Sequence, residues 1–221
     1  MDAAARTLVV LLLCALAVVI AQRWLPGDER AEAGSGAVTP AVRAADLRFA
    51  PGVSEADRVW ILAAVAGARP EAQRLIDEVD GLVEVRTHVD GGETIGWAEM
   101  GSGGSVISVD TGALNGDRAL DRNVVVLHEL GHVVDHVLVP DALVAELDRG
   151  IPRVGTCEPH GEPVGPCTAP EERFADTFAK WALRGAVSLA GSGYGIPTPT
   201  SLEGWGAPLG LLAARLEADA R

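Results

Sequence analysis

The chain has 221 residues, of which 48% are hydrophobic, and a formal net charge of −13. This length fits one domain with appendages, and the hydrophobic content is sufficient for a sizeable core. The acidic balance repels phosphate groups, so nucleic acid is a poor candidate partner.

The N-terminal segment predicts export from the cytoplasm. Residues 8–21 form an uncharged apolar run, with Arg6 before it and Arg23 after it. A run of this length is typical of a signal peptide cleaved after Ala21, and the alternative is an uncleaved membrane anchor within residues 1–25. We therefore predict an extracytoplasmic protein, secreted or tethered, that meets the membrane only through this segment.

The rest of the chain predicts a linker followed by one α+β domain. Residues 26–45 are rich in small and charged residues and predict a flexible linker, which leaves residues 46–221 as the domain. Six segments have helical patterns: 54–68, 70–79, 121–138, 140–149, 170–183 and 209–220. Three short alternating segments predict strands: 82–89, 94–99 and 105–110. Their short connections predict a mainly antiparallel sheet, and the Gly/Pro-rich stretch 191–206 predicts a loop.

Two cysteines lie outside the N-terminal segment. Cys157 and Cys167 are ten residues apart in a stretch rich in proline and glycine. In an exported chain this arrangement indicates a disulfide bond. The alternative is a pair of free thiols in a cytosolic loop.

A short motif in the apolar segment 121–138 carries candidate catalytic chemistry. His128 and His132 are four residues apart, which places both imidazoles on one face of a helix. Two imidazoles at this spacing can hold one zinc ion. Glu129 lies about 100° around the helix and can act as general base toward a zinc-bound water. Gly131 removes a side chain beside the site and fits tight helix packing.

Such a site requires a third ligand. His136 is the nearest candidate, but it lies about 12 Å along the helix axis from His128, so the two cannot bind one ion. The later helix offers Glu172, which would complete a site of two histidines and one glutamate. Asp176, one turn further on, can accept the free N–H of His128 and fix the orientation of that ring. The alternative is that Glu172 and Asp176 belong to a solvated acidic face.

The two motifs together resemble the gluzincin pattern, in the form found in the peptidase domain of anthrax lethal factor and its relatives. The resemblance rests on His128-Glu129-Leu130-Gly131-His132 with Asp135, followed by Glu172-Arg173-Phe174-Ala175-Asp176-Thr177-Phe178. It implies a zincin-like α+β fold, with the sheet packed on the active-site helix and a helical C-terminal part. It also implies Glu172 as the third zinc ligand and Glu129 as the general base. Asp135 and Asp176 would be acids that support the ligands.

The chain departs from this family at the residue expected to stabilise the oxyanion. Lethal-factor-like domains carry a tyrosine shortly before the third ligand, whereas residues 163–171 contain none. Two candidates for this role are Tyr194, the only tyrosine in the chain, and His160. Zincin-like folds also place a strand beside the cleft to pair with an extended substrate, and chain order predicts residues 104–109 for it. The alternative is that these residues form an internal strand of the sheet.

These features predict an exported zinc endopeptidase with a protein or peptide substrate. The alternative is a catalytically idle zinc-binding module that acts in protein binding. The missing tyrosine favours this alternative, and the intact Glu129 opposes it. A third interpretation is a toxin-like effector or a maturation peptidase with one dedicated protein target.

Overall fold

The described residues of this computed structural model are 46–90, 94–115, 121–153, 168–186 and 195–220. The predicted N-terminal segment (1–25) and linker (26–45) lie outside the described residues, so both stay predictions. None of the helices in the described ranges combines the length and apolar character that crossing a bilayer requires.

One small sheet of four strands lies beside the helices. Its strands are β1 (Arg48–Phe49), β2 (Val83–His88), β3 (Gly96–Gly101) and β4 (Gly104–Asp110). They lie in the order β1-β2-β4-β3. β2 runs parallel to both β1 and β4, and β3 runs antiparallel to β4. The sheet is therefore mixed, and the prediction of a mainly antiparallel sheet is wrong.

The connections between the strands explain this topology. Two helices, α1 (Glu55–Gly67) and α2 (Pro70–Asp77), join β1 to β2 and return the chain, so β2 can pair in parallel. The connection from β2 to β3 is short, but these two strands do not pair with each other. Instead, the β3–β4 hairpin brings β4 back into the position beside β2. The length of the connections between strands therefore did not determine which strands pair with each other.

The remaining helices follow in chain order. They are a 3₁₀ helix (Asp80–Leu82), α3 (Thr111–Asn115), α4 (Arg122–Leu138), α5 (Asp141–Gly150), α6 (Pro170–Ala182) and α7 (Leu202–Asp219). The α+β class, the six predicted helices and the helical C-terminal part are thereby confirmed.

Helix α7 begins earlier than predicted, because residues 202–206 are helical although the prediction placed them in a loop. The Ser201 side chain accepts a hydrogen bond from the Gly204 main-chain N–H and so caps the helix. Gly206 has a packing reason to be glycine, since a Cβ atom there would lie 2.0 Å from Trp181 Nε1. Gly206, which contributed to the loop prediction, thus permits close packing of α7 on α6.

Helix α4 is the central helix of the domain. It packs most extensively on α6 and also lies against β3 and β4. Its fully buried apolar residues are Val126, Leu127, Leu130, Val133 and Val134. A Cβ atom at Gly131 would lie 3.1 Å from the Ala175 Cα. This confirms the predicted tight packing at Gly131, which lets α4 and α6 approach closely enough to share one site.

Candidate metal centre

Two histidines of α4 project from the middle of the helix toward one point. Asp121 caps α4 by accepting a hydrogen bond from the Asn123 main-chain N–H, so that the whole 17-residue segment is helical. The Nε2 atoms of His128 and His132 lie 3.2 Å apart. The sequence spacing of four residues is therefore realised as two imidazoles whose outer nitrogens converge.

Helix α6 brings a carboxylate to the same point. Glu172 Oε2 lies 3.0 Å from His128 Nε2 and 3.4 Å from His132 Nε2. The ligand atoms of these three residues all lie within 4.8 Å of one another, and the group can hold a metal ion. The structure thus brings together the three predicted ligands, although 39 residues separate the two histidines from Glu172 at the closest.

The charges of the three residues compensate one another. Burial opposes ionisation of Glu172, but hydrogen bonds with both histidines outweigh it and hold the pKa of Glu172 well below its usual range. Burial likewise acts to lower the pKa of His128, but the hydrogen bond to Glu172 and the nearby acidic charges raise the pKa overall. Metal binding to such a group would displace any proton that the ligand nitrogens or the carboxylate hold.

Glu129 lies next to this group and has a different environment. Its side chain is 4% exposed, and Oε2 is buried without a hydrogen-bond partner among the described residues. Burial raises its pKa. Gly96 of β3 leaves space for this side chain, since a Cβ atom there would lie 2.4 Å from Glu129 Oε1. The strand therefore forms one wall of the space that Glu129 occupies.

A cleft of about 990 Å³ opens over the three-residue group and Glu129. Its walls come from β3, α4, α5 and the first turn of α6. β3 lies at the sheet edge, while β4 lies between β2 and β3. The prediction that residues 104–109 form the cleft strand is therefore wrong, because the hairpin turns β4 inward and leaves β3 facing the cleft.

The two acids expected to support the ligands lie in different places. Asp176 is buried, and its Oδ2 is 2.5 Å from the Nζ of Lys180. The charge of Asp176 contributes to the raised pKa of His128. The predicted hydrogen bond between Asp176 and His128 stays a prediction. Asp135 lines the cleft, and burial raises its pKa to about 6.

Other predicted residues are distributed as follows. His136 is exposed and lines the cleft, but it is not a member of the group that can hold a metal. His160, Tyr194 and the cysteine pair Cys157 and Cys167 lie outside the described residues, so their roles stay predictions.

Three residues near the site were missed from the sequence. Gly96 bounds the space of Glu129. Arg173 is fully buried and donates hydrogen bonds to Asp148 and to the Ile151 carbonyl, which join α6 to α5 beside Glu172. Lys180 follows Asp176 by four residues, which is the spacing of an ion pair on a helix. That spacing was the sequence signal from which the ion pair of Lys180 could have been predicted. The contacts of Gly96 and Arg173 join distant segments, so no local sequence pattern predicts them.

Comparisons of the chain with protein-family models, curated proteins and solved structures found no match.

Proposed function

We propose that this chain is a zinc-dependent endopeptidase of zincin-like fold that acts outside the cytoplasmic membrane. The proposed location depends on the N-terminal segment alone. The single observation that carries the proposed activity is the buried carboxylate of Glu129. Its Oε2 has no hydrogen-bond partner in the part of the chain that the structure describes, and it lies beside a group that can hold a metal ion.

The donor set favours zinc. Imidazole is a borderline ligand and carboxylate is a hard one, and zinc takes two imidazoles and one carboxylate in catalytic sites. Catalytic zinc sites use three protein ligands and keep a fourth position open, whereas structural zinc sites are closed by four. Among the described residues the group has three members, and a cleft lies over it.

Glu129 would be the general base. A zinc ion held by His128, His132 and Glu172 would supply an acidified water and would polarise a substrate carbonyl. Glu129 Oε2 would accept a proton from the attacking water. Burial raises the pKa of this carboxyl, which makes it a stronger base than an exposed glutamate. A buried carboxylate oxygen without a partner is costly, which favours a role in the reaction over a role in the fold.

The cleft supports an extended peptide as substrate. β3 is an edge strand, so its outer main-chain groups have no strand neighbour within the described sheet. An extended peptide can add to such an edge through main-chain hydrogen bonds. The cleft continues along β3 from Gly96 to Met100, past the three-residue group and Glu129. A groove of this form accommodates residues on both sides of a cleaved bond.

The test compares zinc content and cleavage of an unstructured protein in three variants of the full chain. Glu172→Ala should lose the zinc, of which the wild type should hold about one ion per chain. Glu171→Ala is the matched control, because Glu171 neighbours Glu172 and lines the same cleft. It should keep the zinc. Glu129→Gln should keep the zinc while the rate of cleavage falls by about 10² to 10⁴-fold.

Each outcome has a distinct meaning. Full zinc content in Glu172→Ala would remove Glu172 from the ligand set. A wild-type rate in Glu129→Gln would refute the assignment of the base. A wild-type protein that binds zinc but cleaves no substrate would instead be an idle zinc-binding module.

A further inference from the structure

Lys180 is an unusual residue in this chain. It is the only lysine among the 221 residues, and its side chain is 1% exposed. Lysine is almost never fully buried unless it is paired, because its ammonium group is strongly hydrated. Its neighbours in α6, Ala179 and Trp181, are buried as well. The position of this one ammonium group inside the domain therefore requires a reason.

The ammonium group joins two parts of the structure. Its Nζ lies 2.5 Å from Asp176 Oδ2, one turn earlier in α6. It also donates a hydrogen bond of 2.6 Å to the Ile196 main-chain carbonyl. Ile196 belongs to the described segment 195–201 that leads into α7. Lys180 thus ties this segment to α6, two turns after Glu172.

General stability does not account for the pair. A buried ion pair gains little over apolar side chains of the same volume, because both charges lose their hydration. Removal of one partner is more costly, since it leaves the other charge buried and uncompensated. Asp176 in turn lies one turn after Glu172 in α6. Its neighbour Ala175 packs against Gly131 of α4, which lies between the two histidines. The Asp176 carboxylate is therefore carried at the contact between the two ligand-bearing helices.

We propose that Lys180 is a positioning residue of the metal centre, which holds the Asp176 carboxylate one turn after Glu172 and fastens the segment 195–201 to the ligand-bearing helix. This inference rests on the metal centre of the proposed function but not on peptidase activity. Partners that orient metal ligands from outside typically change metal affinity by about 10 to 100-fold when removed.

The test measures the zinc affinity of the full chain by competition with a chromogenic chelator, with Zn²⁺ as the only ligand. Lys180→Met, which keeps the length and removes the charge, should weaken zinc binding by about tenfold or more. Asp176→Asn should weaken it similarly. The double variant should be little weaker than Asp176→Asn alone, because the two residues act as a unit.

A matched control is available in Arg69. This arginine is also buried, ion-pairs with Glu71 and Glu203, and lies over the ring of Trp181. Arg69→Met should lower the unfolding temperature but leave the zinc affinity unchanged. The comparison separates a specific effect on the metal centre from a general loss of stability.

The outcomes distinguish this inference from the proposed function. Unchanged zinc affinity in Lys180→Met, or independent additive effects of the two substitutions, would overturn the role of Lys180 while the peptidase proposal stands. A wild-type chain that binds zinc without cleaving protein would overturn the peptidase proposal and leave the affinity test valid. A wild-type chain that binds no zinc would overturn both.

If Lys180→Met does not fold, a second measurement on the wild-type chain tests the proposal. Because Lys180 is the only lysine, an amine-specific acylating reagent can modify only this side chain and the N-terminus. We expect Lys180 to stay unmodified in the native wild type and to react after denaturation, as read by peptide mass spectrometry. Rapid modification of the native protein would show an accessible amine and would overturn the proposal.

Discussion

Substitution of Gly96 by alanine should separate catalysis from metal binding. A Cβ atom at this position would lie 2.4 Å from Glu129 Oε1 and 3.0 Å from its Cδ. Non-bonded atoms pack at about 3.5 Å, so the Glu129 carboxylate must move by about 1 Å. A displacement of this size at a reacting group costs about 100-fold in rate. The contact is with Glu129 and not with the residues of the metal group, so zinc affinity should stay unchanged.

The assay is the steady-state cleavage of a peptide substrate by zinc-loaded protein, together with the zinc content of each sample. Gly103→Ala is the matched control. Gly103 lies in the turn that joins β3 to β4, and a Cβ atom there would meet nothing within 4 Å. We expect kcat to fall by about 100-fold in Gly96→Ala and to be unchanged in Gly103→Ala. If zinc-loaded Gly96→Ala cleaves at the wild-type rate, then Gly96 does not position Glu129 and the reasoning fails.

Two further predictions concern stability. Gly131→Val should destabilise the domain by about 1–3 kcal/mol through overpacking and should also weaken zinc binding, since a Cβ atom at Gly131 would lie 3.1 Å from the Ala175 Cα. Denaturant unfolding measures the first effect, and an unchanged midpoint would argue against the close contact of the two helices. Burial raises the pKa of Asp135 from an ordinary 3.8 to about 6. Ionisation of this carboxyl therefore lowers the free energy of unfolding by about 3 kcal/mol at most. This destabilisation is absent below pH 3.8 and complete above pH 6. In metal-free protein Asp135→Asn should therefore increase the free energy of unfolding at pH 8 by about 1–3 kcal/mol, but not at pH 3.5, and a gain at both pH values would contradict this origin.

The ligand-bearing elements could be predicted because their information is local. The spacing of His128 and His132 places both side chains on one face of any helix. The apolar pattern around them predicts that helix without knowledge of the rest of the chain. The pattern of residues 170–183 likewise predicts a helix that carries Glu172. Zinc requires a third ligand, and this requirement predicted that the two helices lie together, although no local pattern shows their contact.

The sheet could not be predicted in the same way, since strand order depends on pairing between distant segments. The alternation of residues located the strands, but it carries no information on which neighbour each strand takes. Chain order therefore pointed to β4 as the cleft strand, although the hairpin leaves β3 at the edge. The roles of Gly96 and Lys180 depend on this tertiary arrangement, because their contacts are with Glu129 and with the Ile196 carbonyl.

The two glutamates of the site have opposite environments, and this contrast is the strongest argument for assigning them different roles. Hydrogen bonds with two imidazoles hold the pKa of Glu172 low against its burial, an environment that suits a metal ligand. Burial raises the pKa of Glu129, and its Oε2 has no hydrogen-bond partner within the described ranges. This environment suits a group that gains and loses a proton. Neighbouring carboxyls whose environments move their pKa values apart are the usual arrangement when one binds and the other transfers protons. A site that only stored a metal ion would need Glu172 but would have no use for the costly burial of Glu129, and for that reason we propose catalysis rather than metal binding alone.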